Sequence, residues 1–247
     1  MNLSFLKLRV ADDAWILIDR MSQGGADPDW APIARELCSP VRGCSARGIA
    51  IIERTGGGCA ARAWNRRGLP CDLEPAARLC AARWLFDSGR AGEDMVRIAA
   101  REGAYEVMVL DSRSFSVCLG TSSGFAGRSG FAGRSGTADI RLHDGSLPRA
   151  SHKASGPGAF TVEAGIVSRQ HIELRKGAND ALTAAAAVLA EAYRSDLADR
   201  EASVAIGNDN IIVQILENGE IYAAARPLYC IQGEFWAEET LKDDQAK

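Results

Sequence analysis

Two segments of the chain are apolar around nearly their whole circumference when they are placed on a helix. Residues 74–86 are interrupted only by two arginines, and residues 179–190 carry no charge after the aspartate at their start. Pro75 suits the first turn of a helix and Gly89 suits the position after its end, so the first helix is bounded on both sides. Apolar residues on most sides predict helices that are buried in the centre of the fold, where small alanines let neighbouring backbone approach closely.

Around the two helices the chain consists of short apolar or alternating runs, which predict strands. Asn218-Gly219 is a hairpin signal between two of them, and residues 207–209 form a second turn. The order of strands, buried helix and strands occurs twice, which predicts an α+β fold of two similar lobes. The predicted strands cover residues 3–9, 14–19, 48–53, 105–110, 114–119, 162–167, 170–174, 202–206, 210–216, 220–225 and 228–232.

The two lobes are expected to meet near residue 120. We assign residues 1–120 to an N-terminal lobe, residues 121–158 to a flexible inter-lobe loop region and residues 159–247 to a C-terminal lobe. The assignment leaves open a return of the last strand to the N-terminal lobe.

The loop region contains a tandem copy, in which residues 124–129 (GFAGRS) are repeated at once as residues 130–135. Two interpretations stay open. One is a duplication that is tolerated in a mobile surface loop, and the other is a basic lid in which Arg128 and Arg134 close on an acidic ligand.

Composition narrows the class of protein and its partners. The 247 residues carry 29 Lys+Arg against 32 Asp+Glu, a net charge of −3, which gives no electrostatic basis for nucleic-acid binding. No apolar run has the roughly 18–20 residues that span a bilayer, and the first residues do not resemble a signal peptide. We therefore expect a cytoplasmic protein without a membrane partner. Seven cysteines without a paired spacing favour free thiols, and no metal site or other cofactor is expected.

Six stretches, in order, resemble sequence patterns of the diaminopimelate epimerase family. Residues 65–80 resemble its N-A-D-G-S-x-x-x-x-C-G-N-G-x-R-C pattern, and residues 179–188 resemble its C-G-T-G-A-C-A-A-A-V pattern. The other stretches are residues 7–19 (K-M-x-G-x-G-N-D-F-x-x-I-D), 42–53 (F-G-I-G-A-D-G-hydrophobic-E), 117–120 (a strand that ends in M-G) and 226–234 (G-P-A-x-x-V-F-x-G-E).

The resemblance implies a fold and an activity. The fold is two similar lobes, each a mostly antiparallel sheet wrapped around a buried central helix, with a ligand cleft between them. The activity is that of a cofactor-independent racemase or isomerase. Family members often dimerise, so a homodimer is the assembly that we expect if the chain self-associates.

The same alignment implies a changed active site. The family has two cysteines, one at the N-terminus of each central helix, and Glu74 and Asn179 stand in their places here. Pro75 has no N–H with which to hold a substrate carboxylate at the first helix. Gln170 and His171 align with the family's Glu-Arg pair, which contacts charged groups of the substrate.

The catalytic candidates are Glu74, His171 and Asp180. Glu74 would be an acid or base that faces the cleft, as in the isomerases of phenazine biosynthesis, which share this fold and use a carboxylate for a proton shift. The alternative is a solvated glutamate that the helix dipole favours. His171 or Asp180 would be its partner, although a strand histidine is often packed or exposed and Asp180 suits a helix N-cap. The substrate-binding candidates are Asp13, Asn65, Gln170 and Asn179, of which Asp13 and Asn65 would otherwise close turns.

Three functions follow, in order of preference. The first is an isomerase that moves a proton on a small carboxylate or amino-acid-like substrate in amino-acid or specialised-metabolite metabolism. The second is an enzyme of the same fold that performs another step, such as a cyclisation or an elimination. The third is a protein whose cleft binds a ligand without turnover.

Overall fold

The computed structural model describes residues 2–22, 27–56, 58–122, 138–144, 147–152, 160–176 and 180–236. Its helices are α1 (Trp30–Leu37), α2 (Pro75–Asp87) and α3 (Ala181–Arg194). In this described part of the chain, no helix is long and apolar enough to cross a membrane. The strands are β1 (Asn2–Val10), β2 (Asp13–Asp19), β3 (Gly48–Thr55), β4 (Gly58–Asn65), β5 (Pro70–Cys71), β6 (Met95–Ala100), β7 (Gly103–Val109), β8 (Phe115–Thr121), β9 (Ala138–Asp144), β10 (Leu147–His152), β11 (Phe160–Ser168), β12 (His171–Lys176), β13 (Glu201–Ile206), β14 (Asp209–Ile215), β15 (Glu220–Ala225) and β16 (Leu228–Trp236).

All of these strands belong to one continuous, mostly antiparallel sheet. Its order is β10-β9-β11-β12-β13-β14-β15-β8-β7-β6-β4-β3-β2-β1-β16, and β5 pairs with β4 beside this path. The parallel neighbours are β2 with β3, β4 with β6, β9 with β11 and β12 with β13. The antiparallel pair of β1 and β16 joins the two ends of the described chain. The predicted α+β class is confirmed.

The two alanine-rich helices are buried, as predicted, and they contact each other. Every residue of α2 from Ala76 to Ala82 is at most 4% exposed, and the α3 residues 184–189 are at most 1% exposed. Both helices belong to one hydrophobic core together with the inner face of the sheet. Cys80 lies within this core, where burial raises the pKa of its thiol, so it is a packing residue.

The two arginines of α2 are accommodated in different ways. The Nε of buried Arg78 donates to the carbonyl of Leu73 at 2.6 Å, and its guanidinium lies 3.3 Å from the centre of the Tyr105 ring. The Nε of half-buried Arg83 donates to Asp87 at 2.5 Å, one turn further along the helix. Each charge is therefore paired or stacked, which allows an otherwise apolar helix to carry it.

A second, smaller core lies on the outer face of the sheet. There α1 packs Trp30, Ile33 and Leu37 against apolar side chains of β1, β2 and β3. Asp29 caps this helix by accepting a hydrogen bond from the Ala31 N–H at 3.0 Å. β2 and β3 are therefore covered on both faces, which explains their nearly continuous apolar runs.

All eleven predicted strands are confirmed, and so are both predicted turns, where Gly207 and Gly219 have φ angles of 58° and 85°. The elements that the pattern did not indicate are α1, β4, β5, β6, β9 and β10. Two of these, β9 and β10, lie within the expected loop region 121–158 and pair with each other, while β9 also pairs with β11. The tandem copy lies outside the described residues.

Ala185→Leu is expected to lower the free energy of unfolding by about 1–3 kcal/mol, because the α3 alanine is fully buried and the larger side chain overpacks the core. Urea unfolding measures the change. Ala99→Leu, on the exposed face of β6, is the matched control and should change stability by less than about 0.5 kcal/mol. Equal effects of the two substitutions would contradict the close packing of α3.

Candidate functional site

The candidate site lies at one end of the sheet, where three neighbouring strands begin or end. β2 and β3 are parallel and start side by side, while β4 runs antiparallel to β3 and ends beside Gly48. Asp13 is the first residue of β2, Arg47 precedes β3, and Asn65 is the last residue of β4. The sheet therefore gathers three polar residues that are distant in the sequence.

Gly48 fixes the backbone next to Arg47. A Cβ atom at this position would lie 2.4 Å from the Trp64 carbonyl oxygen and 2.6 Å from Cζ3 of Trp15. Neither neighbour can move easily, because one is strand backbone and the other is a buried ring. Glycine is therefore required for β3 to start where it does, and this start determines where Arg47 emerges.

Arg47 bridges two carboxylates. Its Nη1 lies 3.1 Å from Oδ1 of Asp13, and its Nε and Nη2 donate to Oε2 of Glu74 at 3.1 and 2.9 Å. Burial alone would lower the pKa of the guanidinium, but the two carboxylates together raise it. Arg47 is therefore a permanent cation whose N–H groups hold Asp13 and Glu74 in one cluster.

Asp13 connects this cluster to the second central helix. Its Oδ2 accepts a hydrogen bond of 2.6 Å from the backbone N–H of Ala181, the first residue of α3. The side chain is only 6% exposed, and burial raises its pKa to about 7 although Arg47 opposes this shift. The negative charges of Asp180 and Glu74 act in the same direction as burial. A carboxylate of the protein thus occupies a helix N-terminus, a place that suits a bound anion.

Asp180 is the N-cap of α3. Its Oδ1 accepts hydrogen bonds from the N–H groups of Leu182 and Thr183, at 3.1 and 3.4 Å. The hydroxyl of Thr183 donates to Oδ2 at 2.5 Å. Asp13 and Asp180 together therefore satisfy the first three N–H groups of α3.

Glu74 stands at the N-terminus of α2 but does not cap it. Its backbone is extended at the N-cap position, and its side chain makes no cap hydrogen bond and points to Arg47 instead. Pro75 follows at the first helical position, where its missing N–H leaves no unsatisfied donor. The Glu74 carboxylate therefore contacts Arg47 and not the backbone N–H groups of α2.

A cavity of about 470 Å³ opens beside Arg47 and Glu74. This volume lies in the usual range for small-molecule sites. The described residues that line it all come from the N-terminal half of the chain, and its charged members are Asp12, Arg47, Arg66, Arg67 and Glu74. The remaining lining residues are Ala14, Cys38, Pro40, Ser45, Ala46, Asn65 and Leu69.

The structure brings together four of the seven candidate residues, namely Glu74, Asp13, Asp180 and Asn65. Asn65 lines the cavity and also closes a turn, because its Oδ1 accepts the N–H groups of two later residues. Asn179 lies outside the described residues.

Gln170 and His171 lie away from this cluster. β12 starts at His171 and runs towards the beginning of α3, whereas the amide of Gln170 donates at 3.3 Å to Asp199, which follows the end of α3. A helix of fourteen residues is about 21 Å long, so the pair lies near the opposite end of α3 from Asp180.

Arg47 belongs to the candidate site but is not among the residues predicted from the sequence. It lies within one of the family-like stretches, directly before a glycine and the apolar run of β3. An arginine at the start of a strand that is buried on both faces is a usable signal, since such a charge requires partners. The identity of those partners depends on the fold.

Asp13→Asn is expected to change the pH dependence of stability. Because the pKa of Asp13 is raised from 3.8 to about 7, the folded state keeps a proton between about pH 4 and 7 that the unfolded state has released. The stability of the wild type relative to the variant therefore falls as the pH rises through this window and is constant above it. From pH 5 to 8 we expect a relative change of about 1–3 kcal/mol by urea unfolding.

The control for this measurement is Asp12→Asn, a substitution of the exposed neighbouring aspartate. Its stability should follow the wild-type curve across the same pH range. The same behaviour in Asp13→Asn would contradict the buried, proton-binding role of Asp13.

No protein-family profile and no curated protein matches the sequence, whereas solved structures match nearly its whole length. A phenazine biosynthesis protein of the PhzF family from Enterococcus faecalis is 12% identical with a TM-score of 0.67, over 96% of this chain and 100% of that chain. A hydroxyproline epimerase from Agrobacterium vitis, with bound trans-4-hydroxy-L-proline, is 10% identical with a TM-score of 0.55, over 94% and 92% of the two chains. A methylitaconate-delta-isomerase is 10% identical with a TM-score of 0.54, over 95% of each chain. The likeness is one of fold. The chain has the diaminopimelate epimerase-like fold that the sequence resemblance implies.

Proposed function

We propose that this protein is a cofactor-independent isomerase that moves a proton on a small carboxylate or amino-acid-like substrate, with Glu74 as the acid and base. The observation that carries the proposal is the position of Glu74. Its carboxylate lies at the N-terminus of a buried central helix, makes no cap, lines the cavity and is held through one oxygen by Arg47. The names of the structural neighbours, an epimerase and an isomerase among them, support the same reaction class.

The proton transfer would run on a single base. The Glu74 carboxylate removes a proton from an acidic C–H of the substrate and becomes a carboxylic acid, while the electron pair of the C–H bond enters the conjugated system of the substrate. The same carboxyl group exchanges its proton with water in the cavity and then delivers a proton to another carbon on the same face, which restores the carboxylate. Arg47 keeps its charge throughout, and it both orients Glu74 and stabilises the negative charge that develops in the cavity.

A second base is not part of this proposal. Asp180, the candidate on the opposite face, is engaged as the N-cap of α3, and Asp13 is bound to Arg47 and Ala181. His171 lies near the other end of α3 and has no role here. A single acid–base group favours a proton shift between two carbons over a racemisation, which needs one group on each face of the reacting carbon.

The occupied N-terminus of α3 also favours a second candidate, a protein of this fold that binds its ligand without turnover. In that case the internal carboxylates Asp13 and Asp180 would have replaced a reacting substrate group at the helix end. A cyclisation or elimination on a specialised metabolite is the third possibility, and the experiment below separates the three.

Glu74→Gln is expected to lower deuterium incorporation from D₂O by about 100-fold or more, because the amide cannot accept the substrate proton. The substrates are a panel of small amino, hydroxy and unsaturated carboxylates, and NMR follows the loss of the C–H signal. Glu36→Gln, at an exposed glutamate of α1, is the matched control and should exchange like the wild type.

Exchange that survives Glu74→Gln unchanged would contradict the proposed base. A cyclic product, or one that has lost a group, would identify a cyclisation or elimination instead of an isomerisation. Saturable binding without exchange or product would identify the ligand-binding protein.

A further inference from the structure

A tightly built turn places two arginines at the mouth of the cavity. Asn65 Oδ1 accepts hydrogen bonds from the N–H groups of Arg67 and Leu69, at 2.9 and 3.1 Å. The N–H of Arg66 donates at 2.8 Å to the carbonyl of Arg47, which ties the turn to the carboxylate cluster. The Asn65 side chain and three backbone N–H groups of this short segment are therefore fixed relative to the site.

Gly68 allows this turn to pack against α1. Its φ angle is +75°, and a Cβ atom there would lie 2.4 Å from the carbonyl oxygen of Ala31. Because both the backbone conformation and the space demand glycine, the two preceding residues have a defined position. The turn is thus part of the packed structure although its arginines are exposed.

Arg66 and Arg67 differ from Arg47 in their partners. Arg47 is committed to two carboxylates, whereas neither Arg66 nor Arg67 has a salt-bridge partner among the residues that the structure describes. Both line the same cavity as Glu74. Two adjacent, unpaired guanidinium groups at a cavity repel each other and are suited to an anion, which a planar guanidinium binds through two hydrogen bonds.

The N-terminus of α3, by contrast, is already occupied. The first three N–H groups of α3 are bound by Asp13 and Asp180, and Pro75 supplies no N–H at the first position of α2. An anionic group that enters the cavity therefore meets the unpaired guanidinium groups of Arg66 and Arg67. The lining of the cavity also includes the apolar side chains of Pro40 and Leu69.

We infer that Arg66 and Arg67 bind the carboxylate of the substrate and so position the remainder of the molecule, with its acidic C–H, at Glu74. The substrate class is a small carboxylate with an apolar or unsaturated body, held by side chains of the N-terminal half and not by the first amides of α3. This inference rests on the proposed function for the identity of the reacting group, but the carboxylate anchor is a claim about binding alone.

The test is the binding of a fixed set of probes by isothermal titration calorimetry. The set contains succinate, itaconate and proline as carboxylates, succinamide as an uncharged analogue and inorganic phosphate as a different anion. The wild type should bind at least one carboxylate and should bind it more tightly than succinamide and phosphate. Arg66→Gln/Arg67→Gln should weaken carboxylate binding by about 10- to 100-fold, through the loss of charge-assisted hydrogen bonds.

The control variant is Arg54→Gln/Arg113→Gln, which removes the same charge from two exposed arginines that do not line the cavity. It should bind within about threefold of the wild type, because only long-range electrostatics change. Arg66→Lys/Arg67→Lys should restore part of the affinity, which a merely structural role of the turn would not produce. Unchanged melting temperatures and circular dichroism would establish that the variants are folded.

Several results would overturn the inference: no carboxylate binding by the wild type, tighter binding of phosphate, unchanged affinity in Arg66→Gln/Arg67→Gln, or an equal loss in the control. The proposed base is judged separately, since Glu74→Gln should keep the carboxylate affinity and lose only deuterium exchange. If Arg66→Gln/Arg67→Gln loses carboxylate binding while Glu74→Gln exchanges deuterium like the wild type, the isomerase proposal is refuted and the carboxylate anchor stands.

Discussion

The contact between Arg47 and the two carboxylates of Asp13 and Glu74 determines how the N-termini of both central helices are organised. Each carboxylate belongs to a different helix end, since Glu74 precedes α2 and Asp13 binds the first N–H of α3. Two negative charges in one buried cluster would be very unfavourable without the guanidinium between them. One arginine therefore holds both carboxylates, and Asp13 joins β2 to α3, which begins 168 residues further along the chain.

The alanine-rich helices provide the scaffold that positions this cluster. Their small side chains let α2 and α3 sit in contact inside a continuous sheet, so their N-termini come close to each other and to the beginning of β2 and β3. The surrounding core is fully buried and close-packed, which leaves the helix ends little freedom to move. The scaffold is thus a diaminopimelate epimerase-like fold, and the groups at its centre are two carboxylates and an arginine.

The sequence predicts the scaffold better than the site. The central helices and eleven strands follow from local patterns of apolar residues. Each of these patterns can be read within a short stretch of the sequence. α1 is missed because it is short and contains Pro32 and two charged residues, and β4 and β6 because Arg62 and Arg97 interrupt their apolar patterns. In the site, Glu74 is a candidate because it aligns with the cysteine that the family has at the N-terminus of the first central helix. The roles of Arg47 and Asp13 depend on the parallel pairing of β2 with β3 and on a contact with α3, which no local pattern contains.

The most direct test of this account is a double-mutant cycle between Arg47 and Asp13, measured as free energies of unfolding at pH 8, where Asp13 is ionised. The account predicts that Arg47→Gln and Asp13→Asn are strongly non-additive, with a coupling energy of about 1–3 kcal/mol, because either single change leaves the other charge buried without this partner. Additive effects, within about 0.5 kcal/mol, would contradict the central role of the Arg47 bridge.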